Sequence, residues 1–272
     1  DGDHFGEVIW ARDASQTEIR HHYYNSVSGK TDWNIYWKKL IKVNEKITAF
    51  VDVQLRSVNY KAAGTDDDVA DFSFSQQNLF FNPKVGLTYK INTNDKIFAS
   101  YAVANKEPNR TDLIYADPAN LPRPEHLQDF ELGYEFSGEK FQFKSNAFLM
   151  FYTDQLVLTG QLDNVGYPIR KNIGESYRIG IEFAMSWRPY KWVQWAPNVA
   201  YIQSQNLNYV EESDNGQVKP LGNTAIAYAP NTVFSSALDF YPLKGVTLGL
   251  FTQYVSRQYL NNSQIKRLSL DP

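Results

Sequence analysis

The sequence predicts an all-β fold: an up-and-down antiparallel transmembrane β-barrel, present as a partial barrel of about ten strands. Three observations predict it. Apolar and polar residues alternate over long stretches, the connections between those stretches alternate short and long, and aromatic residues, 15% of the chain, collect at the stretch ends. No apolar run approaches the roughly 18 residues of a spanning helix. A mean hydropathy of −0.47 suits strands that bury only every second residue in lipid.

The alternation is clearest in four places. From Ile47 to Leu55, Ile47, Ala49, Val51, Val53 and Leu55 interleave with Thr48, Asp52 and Gln54, Phe50 being the exception. Leu79, Phe81, Val85, Leu87, Tyr89 and Ile91 alternate with Asn82, Lys84, Gly86, Thr88 and Lys90. Phe130, Leu132, Tyr134 and Phe136 face away from Asp129, Glu131 and Glu135. Tyr177, Ile179, Ile181, Phe183, Met185 and Trp187 oppose Arg178, Gly180 and Glu182. Weaker versions occupy 31–42, 96–105, 141–153, 193–204, 231–241 and 245–257, and no segment shows a helical period.

Tight turns join these strands in pairs at Val43-Asn44-Glu45, Asn92-Thr93-Asn94-Asp95, Ser137-Gly138-Glu139-Lys140, Arg188-Pro189-Tyr190-Lys191 and Leu243-Lys244. The intervening connections, 61–78, 106–125, 154–173 and 205–230, are long and polar. All short turns therefore lie at one end of the sheet and all long loops at the other. A soluble sandwich would also alternate, but its strands run to about five or six residues, and these run to about ten to fifteen. Tyr89, Phe136, Trp187, Trp192 and Tyr241 near the turns, and Tyr60, Tyr101, Tyr152, Tyr177, Tyr201 and Tyr254 toward the loops, form two interfacial belts. The same parity puts Ile47, Val51, Leu87, Leu132, Ile179, Ile181, Phe183, Leu248 and Leu250 toward lipid. It puts Asp52, Lys84, Glu131, Arg178 and Glu182 toward the lumen.

Composition narrows the function. With 27 basic and 30 acidic side chains, a net charge of −3 and no basic cluster, the chain lacks the positive face that nucleic acid requires. The absence of cysteine removes disulfide scaffolds, zinc knuckles and thiol chemistry. Asp66-Asp67-Asp68 has no spaced partner of the calcium-loop kind. His21 and His22 are adjacent and point to opposite sides of an extended segment, and His4 and His126 are isolated. No metal, cofactor or catalytic site is expected. Ligand recognition falls to the long loops, where Arg110, Tyr115, Tyr167, Arg170 and Tyr209 can stack on or pair with an anionic chelate.

Particular residues carry a resemblance. Phe81-Asn82-Pro83-Lys84-Val85-Gly86-Leu87-Thr88-Tyr89 with Ile97-Phe98-Ala99-Ser100-Tyr101 resembles a hairpin of TonB-dependent outer-membrane receptors. Asn105-Lys106-Glu107-Pro108 is similar to that family's N-(R/K)-E-P loop. Pro124-Glu125 and Glu131-Leu132-Gly133-Tyr134 are similar to its P-E … E-L-G-Y strand, and Asn172-Ile173-Gly174-Glu175-Ser176 through Gly180-Ile181-Glu182 to its N-x-G-x-(A/S)-x-x-x-G-(I/V)-E segment. The grammar most resembles iron and siderophore receptors of Bacteroidetes type.

The resemblance implies a bacterial outer-membrane receptor, not an enzyme, that takes up a small metal chelate such as a ferric siderophore. Energy would come through a TonB-type periplasmic partner, and the barrel, of about 22 strands, would hold a plug. Haem, cobalamin or glycan receptors, and a non-transporting barrel such as an adhesin or passive channel, are the alternatives. On this view residues 1–272 are a fragment of the barrel domain, with 1–30 loop-like and extracellular, 31–257 strands and 258–272 loop. The strands would be about the tenth to the nineteenth, with the plug and the last strands lying outside the chain.

Overall fold

The structure, a computed structural model, describes all residues except positions 1, 14, 16, 17, 67–70, 117, 118, 163–165, 167 and 213–216. The first elements are β1 (Gly2–Glu7), β2 (His22–Lys42), β3 (Ile47–Thr65), β4 (Asp71–Lys90), β5 (Asp95–Lys106) and α1 (Arg110–Ile114). There follow β6 (Glu125–Ser137), β7 (Phe141–Thr153), β8 (Leu156–Leu162), β9 (Pro168–Asn172), β10 (Glu175–Tyr190) and β11 (Val193–Glu212). The last are β12 (Val218–Ala225), β13 (Thr232–Leu243), β14 (Val246–Val255), β15 (Gln258–Tyr259) and β16 (Ser269–Leu270). Twelve strands make one sheet in the order β1-β2-β3-β4-β5-β6-β7-β10-β11-β13-β14, with β12 paired to β11, while β8–β9 and β15–β16 are separate hairpins. All pairings are antiparallel, which is the up-and-down arrangement predicted.

Side chains close the short turns. Asn44 Oδ1 accepts from the amides of Lys46 and Ile47 at 2.8 Å each. Asn92 repeats the device between β4 and β5, accepting from Asn94 and Asp95 at 2.8 and 3.0 Å. An asparagine carbonyl standing in for a backbone acceptor is why this residue type marks both turns.

Register assigns the two faces. Lys38, Asp52, Lys84, Ala102, Asp129, Met150, Arg178 and Ser204 stand in one row across the sheet. One residue along, on the opposite face, the row reads Val51, Val85, Tyr101, Phe130, Leu149 and Ile179. The apolar face is bare, with Leu132 59% and Leu250 61% exposed. A continuous apolar surface of that kind is stable only against hydrocarbon. The two predicted sets fall on opposite faces as expected. Cysteines placed at Leu132 and Leu250 should react with a lipid-soluble probe, and cysteines at Lys84 and Glu182 with a water-soluble one. The reverse pattern would mean a register slipped by one residue.

On the polar face three phenylalanines lie directly opposite glycines: Phe50 and Gly86, Phe98 and Gly133, Phe148 and Gly180. A Cβ on these glycines would come within 2.1 to 2.6 Å of the ring. The rings thus lie flat along a glycine gap in the wall, which explains glycine in otherwise regular strands.

Four sequence expectations are corrected. The region 61–78 is strand at 61–65 and 71–78, since β3 runs on to Thr65 and β4 starts at Asp71. Residues 1–30 contain β1 and the first part of β2, and 258–272 contain β15 and β16. The connections 154–173 and 205–230 carry β8, β9 and β12. The helix α1, five residues long, occupies a segment in which no helix was expected.

The long strands were hidden because their apolar side changes where they leave the lipid. Up to Leu55 the apolar residues of β3 other than Phe50 point outward; beyond it Ser57, Asn59 and Lys61 share that face, and Val58 and Ala62 on the other side are 1% and 4% exposed. A period-two count loses its phase at that switch.

Candidate functional site

The rim at the long-loop end is uneven. The strands β2, β3 and β4 have 21, 19 and 20 residues, β5, β6 and β7 only 12, 13 and 13, and β11 again 20. A tilted crossing takes about 9 to 11 residues. Two tall stretches of wall therefore flank a low sill at β5–β7, and α1 and the β8–β9 hairpin arise from its connections.

The arch over the sill starts from a fixed base. Glu107 accepts from Arg56 Nη1 and Nη2, both at 2.9 Å, and from Lys30 at 3.1 Å. Arg56 also donates to Asp32, with the shortest contact 2.6 Å. Burial works against ionisation of Glu107, but hydrogen bonds from Arg56, its own amide and Lys30 hold the carboxyl below the usual glutamate range. Beside it Asn105 Nδ2 donates to Asn82 Oδ1 at 2.8 Å, and Asn82 Nδ2 to Gln54 Oε1 at 3.0 Å.

From that base the chain turns into α1. Asn109 caps it, its Oδ1 accepting from the Asp112 amide at 2.8 Å while Asp112 Oδ2 accepts from the Asn109 amide at 2.9 Å. Leu113, 2% exposed, enters a small core with Ala62, Phe72 and Phe74 on the inner side of β3 and β4.

Three of the predicted ligand residues meet at this arch. The Arg110 guanidinium lies 5.2 Å over the Phe72 ring, donates to Ser26 Oγ at 3.1 Å and stands 3.5 Å from Asp66 Oδ1. Tyr115 donates to Asp66 Oδ2 at 3.0 Å. Arg170 on β9 stands 3.5 Å from Asp112 Oδ1. Tyr209 is elsewhere: it is 4% exposed in a second core with Val157 and Ile173. Tyr167 lies outside the described residues. Asp66, read from sequence as part of an open acidic loop, is 7% exposed and serves Arg110 and Tyr115; positions 67 and 68 lie outside the described residues. Among the described residues no three His, Asp or Glu side chains converge to hold a metal.

A second polar cluster escaped the sequence reading. Asn262, 1% exposed, donates to Leu158 O at 2.8 Å and accepts from the Ala227 amide at 2.9 Å and Asn206 Nδ2 at 3.2 Å. It ties the segment after β15 to β8 and β11, and one of its partners lies 104 residues away. No local pattern signals such a contact. Lower on the polar wall, Arg178 sits 5.1 Å over the Tyr152 ring, and Asp129 Oδ1, Asn146 Oδ1 and Arg178 Nε are buried without a hydrogen-bond partner.

This barrel wall with its lipid-facing band and looped rim is that of an outer-membrane protein. The family described as TonB dependent receptor-like, beta-barrel, matches residues 5–269, and the chain belongs to it. The long-loop rim is accordingly extracellular and the short turns periplasmic. Among solved structures, the siderophore receptor PiuA from Acinetobacter baumannii superimposes with a TM-score of 0.71 at 16% identity, over 90% of this chain and 36% of that one. The ferric yersiniabactin uptake receptor FyuA from Yersinia pestis gives 0.65 at 14% identity, over 91% and 38%. The copper transporter OprC gives 0.70 at 12% identity, over 86% and 36%. At these identities the likeness is one of fold, and the chain spans just over a third of each of these structures. No curated protein sequence matches the chain.

Proposed function

We propose that this barrel belongs to a ligand-gated uptake receptor whose cargo is an anionic metal chelate, a ferric siderophore being the class favoured. The observation that carries the reading is the arch, where α1 and β9 bring Arg110, Tyr115 and Arg170 to the extracellular rim around Asp66 and Asp112. Guanidinium and phenol groups are suited to the planar, oxygen-rich surface of such a chelate. The names of PiuA and FyuA, which specify a siderophore and ferric yersiniabactin, support the same class. Transport would be driven through a TonB-type partner acting on a plug, and the charged inner wall would contact that plug or its water. Arg170 and Tyr167 are the further ligand contacts proposed, and Tyr209 packs with Val157 and Ile173.

Replacing Arg110 and Tyr167 together by alanine in the full-length receptor should weaken chelate binding about thirtyfold, or about 2 kcal/mol, without lowering barrel yield. Binding of a ferric tris-catecholate, a ferric tris-hydroxamate, haem and cobalamin is measured in parallel. Unchanged binding of all of them would move the site away from these loops.

A further inference from the structure

The contacts of the arch differ in strength from bottom to top. At the base, Arg56 meets Asp32 and Glu107 at 2.6 to 3.2 Å. At the top, the pairs Arg110–Asp66 and Arg170–Asp112 both stand at 3.5 Å. Charge-assisted bonds close at about 2.7 to 2.9 Å, so the ion pairs of the base are closed and those of the top are not, the top being held besides by Tyr115 on Asp66 at 3.0 Å and Arg110 on Ser26 at 3.1 Å. A helix of five residues has no stability of its own, and α1 keeps its place only through what it touches. Two of those attachments, Arg110 and Tyr115, converge on one carboxylate, Asp66, beyond the end of β3. Its side chain is 10% exposed.

We propose that Asp66 is the latch of the extracellular rim. It holds α1 against the tall β2–β4 wall and over the core of Ala62, Phe72 and Phe74. The arch lifts about its base when an anionic ligand takes Arg110 from Asp66. A ligand opens a closed state only by binding the open one better. Here the gain is specific: Arg110 is neutralised in the closed state and available in the open one. An uncharged chelate offers Arg110 no exchange for Asp66 and leaves the latch shut. The choice of an anionic chelate rests on the uptake reading above; the latch itself does not.

The test uses the full-length receptor in the outer membrane with a cysteine introduced by Ala62→Cys, at a position 4% exposed beneath the arch in a chain without native cysteine. Phe74→Cys, in the same core, is the second reporter. Maleimide labelling should be slow in this parent, about tenfold faster once Asp66→Asn is added, and slow again with Asp66→Glu. A ferric tris-catecholate should speed labelling of the parent and leave the Asp66→Asn variant unchanged, while an uncharged ferric tris-hydroxamate should affect neither. Fast labelling of the parent at either reporter, or an Asp66→Asn rate equal to the parent's, overturns the latch. Catecholate that quenches intrinsic fluorescence on binding but does not alter labelling overturns the exchange step. Should no chelate bind at all, the uptake reading fails, and the Asp66→Asn and Asp66→Glu rates still decide the latch.

Discussion

Gly64→Val is expected to cost about 3 to 4 kcal/mol and to unzip the extracellular part of the β2–β3 ladder. Gly64 has a φ of +144°, a region that side chains with a Cβ avoid. A Cβ there would lie 2.2 Å from the Asn25 carbonyl oxygen and 2.5 Å from Ser26 Cα. Those atoms are backbone of the paired strand, and Ser26 is the register partner of Gly64. They cannot yield without breaking the ladder. Gly86 is a useful contrast, because the atoms nearest its Cβ would be those of the Phe50 side chain and not backbone. Separation at Gly64 also removes Ser26 from Arg110 and opens the core around Ala62. The hydrocarbon-crossing rows below are untouched, so the barrel should still assemble. The expected result is a normal heat-modifiable band, faster extracellular proteolysis and a lower urea midpoint in lipid than for Gly222→Ala, where φ is +70° and nothing lies within 4 Å. Equal midpoints would show that the backbone at Gly64 adjusts freely.

How much of this was legible beforehand depends on where lipid imposes a rule. Between Ile47 and Leu55 one face must be apolar and the other polar, and sequence shows it directly. The asparagines at 44 and 92 were equally readable, because turn chemistry is local. Above Leu55 water lies on the outside and a small core on the inside, so the apolar residues of β3 and β4 change sides and the alternation reads as noise. The helix α1 has its capping pair, Asn109 and Asp112, in plain view, yet five residues are too few to display a period.

The rim was legible in its residue types and not in its partnerships. Arg110, Tyr115 and Arg170 were singled out as side chains able to bind an anion, and they do come together. What holds them, Asp66 and Asp112, could not be chosen from among 30 acidic residues without the fold. The Asp66–Tyr115 bond joins positions 49 apart, and the Arg170–Asp112 bond positions 58 apart. Tyr209 was selected for the same chemical reason, and its burial beside Val157 shows that an aromatic in a long connection can equally be core.

Arg56→Met should cost about 3 kcal/mol and reverse the response of the rim to acid. The guanidinium is 24% exposed and lies between Asp32, 34% exposed, and Glu107, 14% exposed. Removing it strips both carboxylates of their shared donor and leaves them facing each other, with Lys30 and the residue's own amide still bonded to the Glu107 carboxyl. Partial exposure keeps the loss at the low end for a broken buried pair. The pH dependence follows from the sign of the shift. The Glu107 carboxyl is held below its ordinary value of 4.5, so its contribution is fully present above that value and is lost as pH falls through the lowered one. Parent receptor should therefore lose rim stability below about pH 4.5. In Arg56→Met the two carboxylates repel, and protonation relieves them, so the variant should gain where the parent loses. Proteolysis at the β5–α1 connection, followed from neutral to acid pH, gives two curves that converge or cross. Parallel curves would mean that Arg56 packs against the wall without acting through Glu107.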